Sequence, residues 1–95
     1  MTWEIKSLPR FDKQFKRFYL KEQEIIREEI KKIQKDPLAG ERKKGALSKV
    51  SVHKFKIHQQ LYLLAYELDS KRKIIYLYAL ATHENFYADL QKYLH

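Results

Sequence analysis

The sequence of 95 residues has no cysteine. Disulfides, thiolate zinc sites and cysteine nucleophiles are therefore excluded. No apolar run reaches the ~18 residues that a membrane-spanning helix needs. The opening residues, Met-Thr-Trp-Glu-Ile-Lys, lack the apolar core of a secretion signal. A cytoplasmic protein with no membrane span is the expectation. Glycine and proline are scarce, with two of each, and both glycines fall in Pro37 to Gly45, which reads as a basic loop. Negative charge is in short supply: 12 acidic residues face 20 lysines and arginines, for a net charge of +8. Such an excess favours an anionic partner, either nucleic acid, an acidic protein or a membrane surface. The plainer alternative is a lysine-rich surface that only keeps the chain soluble. With 44% hydrophobic and 14% aromatic residues, the composition is that of a folded chain. The length fits one domain, residues 1–95, with a thin two-layer core.

Alternation of Trp3 and Ile5 with polar neighbours predicts a short strand closed by Pro9. Phe11, Phe15, Phe18 and Tyr19 then fall on one helix face. A second helix carries Ile26, Ile30 and Ile33 and stops at Asp36-Pro37, since proline cannot donate to the helix ladder. A turn around Lys21 to Glu24 would join the two as a helical hairpin. Three strands follow at about Ser51–His58, Leu61–Leu68 and Arg72–Ala81. Short connections at Gln59-Gln60 and Asp69-Ser70-Lys71 make them an antiparallel meander. The third, apolar on both faces, is expected at the centre of the sheet. Thr82 can cap a last helix with Phe86, Leu90 and Tyr93 as its buried stripe. The order β-α-α-β-β-β-α gives an α+β fold, with a helical hairpin and a C-terminal helix on a small antiparallel sheet.

The segment Val52-His53-Lys54-Phe55-Lys56-Ile57-His58 is the most telling. As a strand it puts Lys54, Lys56 and His58 on one face and His53, Phe55 and Ile57 on the other. A row of cationic and titratable groups on a rigid element suits a phosphate backbone.

Order, size and charge together resemble the RelE/ParE superfamily of bacterial type II toxins. The resemblance rests on the basic loop Gly40-Glu41-Arg42-Lys43-Lys44-Gly45-Ala46-Leu47 and the strand His53-Lys54-Phe55-Lys56-Ile57-His58. It also rests on Tyr62-Leu63-Leu64-Ala65-Tyr66 and on the C-terminal cluster Thr82-His83-Glu84-Asn85-Phe86-Tyr87. It implies a toxin held inactive by a cognate antitoxin. In the RNase branch such toxins cut mRNA on the ribosome. Carried over position by position, the paired strand lysines match Lys54 and Lys56, and the helix tyrosine matches Tyr87. The next basic strand position becomes His58. Two arginines of that branch fall on Leu63 and on or near Ala81, so those cations are missing here. The gyrase-inhibiting branch shares the fold without the RNase residues, and other RNase members use histidines and acidic residues instead. The resemblance therefore implies a ribosome-dependent mRNA endoribonuclease, with a DNA gyrase inhibitor as the alternative. A plain RNA-binding module is the third possibility.

RNA cleavage needs the 2′-OH deprotonated, the phosphate charge stabilised and the 5′-oxygen protonated. An unperturbed histidine titrates near ~6.5 and can serve either proton step. The expected catalytic set is Lys54, Lys56, His58, His83 and Tyr87; Tyr87 either relays a proton or stacks on a base. Arg42, Lys43 and Lys44 join Lys54 and Lys56 in binding phosphate. Each has a blander role. His53, beside Phe55 on the apolar face, reads as structural; His58 as an ordinary exposed residue; His83 and Glu84 as parts of a helix's first turn; Tyr87 as core. Tyr62, Tyr66, Tyr76 and Tyr78 read as sheet residues. No cofactor or metal is expected, since His53 and His58 fall on opposite strand faces without a carboxylate cluster.

Overall fold

A five-stranded sheet carries a helical hairpin on one face. The computed structural model describes residues 3–42, 49–83 and 85, with residues 41 and 42 described by their backbone only. The elements are β1 (Glu4–Ser7), α1 (Pro9–Lys16), α2 (Leu20–Lys35), a 3-10 turn (Pro37–Ala39), β2 (Glu41–Arg42), β3 (Ser51–Ile57), β4 (Gln60–Asp69) and β5 (Ile74–Thr82). The strand order is β1-β5-β4-β3-β2. The meander β3-β4-β5 is antiparallel, as expected. β1 pairs with β5 in parallel, so the sheet is mixed rather than purely antiparallel. β5 is an interior strand, between β1 and β4, while the middle of the five is β4. The expected C-terminal helix, with Phe86, Leu90 and Tyr93, lies outside the described residues. Thr82 is the last residue of β5, and its carbonyl accepts from the Asn85 N–H at 3.2 Å.

The helices meet earlier than the turn expected at Lys21 to Glu24. Pro9 does not merely close β1. It occupies the first turn of α1, where its missing N–H costs nothing. α1 ends at Lys16, capped by Arg17, and α2 begins at Leu20, with Tyr19 extended between them. Glu22 closes the joint by accepting from the Tyr19 N–H at 3.0 Å. The Gln23 amide donates to the Phe15 and Phe18 carbonyls at 3.2 and 3.1 Å, satisfying the end of α1. Phe11 is buried as the helix face required, but Tyr19 is 81% exposed because the chain has left the helix before it.

Alternation splits the sheet into two apolar faces. Phe55, Ile57, Leu64, Tyr66, Ile75, Leu77 and Leu80 pack under Phe11, Ile26 and Ile33 of the helices. Val52, Leu63, Ala65, Ala79 and Ala81 gather on the opposite face. Between Ala65 and Tyr66 the register of β4 on β5 slips, with Ala65 opposite Ala79 and Tyr66 opposite Leu77. Tyr78 is the extra residue of this bulge, and it packs beside Ala79 on the second face.

The segment expected as plain loop, Pro37 to Gly45, holds structure. The buried Tyr66 hydroxyl donates to the Pro37 carbonyl at 2.7 Å. Gly40 lies so close that a Cβ there would collide with Tyr66 Oη. β2 then pairs Glu41 with Val52 and Arg42 with Ser51. At the β1 end, β5 outruns its parallel partner after Leu77, and the Leu80 N–H donates to Gln14 Oε1 of α1 at 2.7 Å.

Candidate functional site

β3 presents Lys54 and Lys56 as exposed residues, while Phe55 and Ile57 are buried beneath the helices. Register then fixes what lies beside them on the same face. Lys54 pairs with Leu63, and Leu63 with Ala81. Lys56 pairs with Leu61, whose carbonyl accepts from the His83 N–H at 3.1 Å. Two rows therefore cross the three strands: Lys54–Leu63–Ala81 and Lys56–Leu61–His83. With strands spaced ~4.8 Å apart, the His83 backbone sits roughly 10 Å from that of Lys56. The structure thus brings the Lys54 and Lys56 side chains, on one sheet face, and the His83 backbone, one residue past β5, to the same end of the sheet.

Leu63 and Ala81, on or near which the resemblance set the two missing arginines, are direct neighbours. They are 1% and 8% exposed within the second apolar cluster. That line of the face is hydrocarbon from β4 to β5.

His58 leaves the row. The β3–β4 turn is made by His58 and Gln59, with φ of 49° and 71°, the two positive angles of a type I′ hairpin. The expected turn residues Gln59-Gln60 are thus shifted by one, and Gln60 begins β4. Past the end of the strand, alternation no longer governs direction. The His58 Nε2 lies 3.7 Å from Glu22 Oε2 of α2, the helix lying over the opposite face.

His53 takes the structural part. Its Nε2 is 2.7 Å from Glu29 Oε1 of α2, and its ring stacks on Phe55 at 6.0 Å. Burial acts to raise the Glu29 pKa, but hydrogen bonds from His53 and Lys32, with their charges, outweigh it and leave the carboxyl below its ordinary value. The ring series continues from Phe55 to Tyr62 and from Tyr62 to Phe18, tying β3, β4 and the helical corner together.

Tyr87, Glu84, Lys43 and Lys44 lie outside the described residues, as does the Arg42 side chain. Sequence reasoning missed the part played by Gly40 and Tyr66. The placing of a glycine just before the basic run was the available signal.

Comparison with known proteins gives a consistent picture. Residues 5–91 match the family model of the ParE-like toxin of type II bacterial toxin-antitoxin systems. Among solved structures, the chain resembles the toxin-antitoxin complex RelBE2 of Mycobacterium tuberculosis at TM-score 0.76 and 10% identity, covering 87% of this chain and 100% of that one. It resembles the isolated RelE toxin of E. coli at TM-score 0.67 and 13% identity, over 98% and 99% of the two chains. The archaeal RelE-RelB complex of Pyrococcus horikoshii aligns at TM-score 0.62 and 15% identity, over 86% and 96%. No curated protein matches the sequence.

Proposed function

Because the chain belongs to the ParE-like toxin family of bacterial type II toxin-antitoxin systems, we propose that it is a ribosome-dependent mRNA endoribonuclease that arrests translation in the cytoplasm. The observation that carries this is the exposed pair Lys54 and Lys56 on β3, with the His83 backbone two strands away at the same end of the sheet. The lysines hold the scissile phosphate and stabilise the charge that builds on its non-bridging oxygens, often the largest catalytic term. His83 takes or gives a proton, and Tyr87 completes the set. His58, paired toward Glu22, is left out of the chemistry. Arg42, Lys43 and Lys44 extend the phosphate contacts. A cognate antitoxin, like the partners in the RelBE and RelE-RelB complexes, covers this basic surface with an acidic segment that orders on binding.

The test is brief induction without antitoxin, followed by mapping of mRNA 5′ ends. New ends at fixed codon positions within translated frames are expected, and Lys54→Ala should reduce them by about a hundredfold or more, the scale of losing one transition-state donor. One observation favours a second reading, inhibition of DNA gyrase. The Leu63–Ala81 line is apolar where the RNase branch is cationic. Growth arrest with intact mRNA and a DNA-damage response, unchanged in Lys54→Ala, would select that reading.

A further inference from the structure

Around the end of β5 from the lysine face lies a cavity of about 280 Å³. One wall is the last turn of α1 and the helical corner, with Gln14, Arg17 and Phe18; the other is the start of β4 and the end of β5, with Tyr62 and Thr82, and Asn85 just beyond. It opens there because β1 pairs with β5 only as far as Leu77. Its chemistry is mixed in a particular way. The Phe18 and Tyr62 rings meet edge to face at 5.5 Å and supply aromatic surface. Asn85 and Thr82 bring an amide and a hydroxyl, and Arg17 brings a guanidinium. Among the described residues no carboxylate lines it, so an anionic ligand meets no opposing charge. An aromatic wall, a few amide and hydroxyl groups and a planar cation are what an unstacked nucleobase requires. The position fits as well. Thr82 and Asn85 flank His83, where the row from Lys56 through Leu61 ends.

We propose that this cavity receives one nucleobase of the single-stranded RNA whose phosphates lie on Lys54 and Lys56. The proposal rests on the RNA reading of those lysines. It adds a place where the protein reads base identity, on the far side of the β5 terminus from the phosphate face.

The test uses a single-stranded RNA trinucleotide and its abasic counterpart, titrated into the full chain with backbone amide shifts recorded. Both should move the amides of Lys54 and Lys56. Only the intact trinucleotide should move those of Phe18, Thr82 and Asn85. It should also bind about tenfold or more tighter, the scale of one stacked base. Asn85→Ala should narrow that gap while leaving abasic binding unchanged. If the two ligands bind alike and leave the cavity amides still, the base pocket is overturned and the lysine face stands. If neither binds, the pocket is overturned as a base reader for this chain, and the ribosome-dependent reading stands or falls on the mapped mRNA ends.

Discussion

At the scale of single residues, Gly40 leaves no room for a side chain beside Tyr66. Tyr66 is buried at 1% exposure and holds Pro37 through its hydroxyl. Burial pushes its phenol upward, the Gly40 backbone N–H works against that, and the Asp36 charge adds to the rise. Gly40→Ala should cost about 1–3 kcal/mol, the range of an overpacked core. Tyr66→Phe should cost a similar ~1–3 kcal/mol by stranding the Pro37 carbonyl. The two are coupled, because removing Oη removes the atom the new Cβ would strike, although the ring carbons stay close. Gly40→Ala should therefore cost less in the Tyr66→Phe background, and a denaturation cycle over the four variants measures the difference. Glu29 gives the second test. Its folded pKa lies below the ordinary 4.5. A depressed carboxylate pKa adds stability above the unfolded value, and that stability is lost as pH falls through the folded one. Glu29→Gln should lower Tm at pH 7, and the gap from the parent should close as melts are taken into and below the ordinary carboxylate range.

At the scale of elements, the hairpins say what was legible. The β3-β4-β5 meander followed from period-two alternation, and Lys54, Phe55, Lys56 and Ile57 face as that pattern required. The turn between β3 and β4 was misplaced by one residue because His58 and Gln59 are not the asparagine and glycine that usually announce a type I′ hairpin. That choice carries strain. Gln59→Gly should stabilise by about 0.5–1 kcal/mol, less than the full left-handed penalty because glycine also loosens the unfolded chain. Calorimetry should show Tm raised by roughly 2–8 °C. The helical joint was hidden for a like reason. Tyr19 is no ordinary cap, and only the Glu22 and Gln23 side chains reveal where α1 stops. β2 escaped notice because two residues show no alternation, and β1's parallel pairing is a long-range fact that no local pattern encodes. Of the candidate site, the lysines were readable from spacing. The direction of His58 was not, since it depends on a turn, and the apposition of Leu63 with Ala81 needed the β4–β5 register.

At the scale of the whole molecule, charge and surface act together. The chain carries +8, and the exposed lysine pair of β3 focuses part of it. Binding to single-stranded RNA should weaken with salt, with a log–log slope of about −0.7 per phosphate neutralised. Lys56→Ala should make that slope shallower by ~0.7, whereas Lys31→Ala on α2 should leave it unchanged; affinities across a salt series decide it.

The seal of Gln14 on Leu80 has a consequence for how the chain behaves while incomplete. Among the described residues, the half of β5 beyond Leu77 has a helix, not a strand, beside its ladder edge. A folding chain that has assembled its meander before α1 docks exposes that edge to any extended peptide nearby, including its own sister chains. The Gln14 side chain occupies the Leu80 N–H that such a peptide would otherwise take. Gln14→Ala should leave aggregates on refolding at concentrations where the parent chain recovers fully, a difference that light scattering would record.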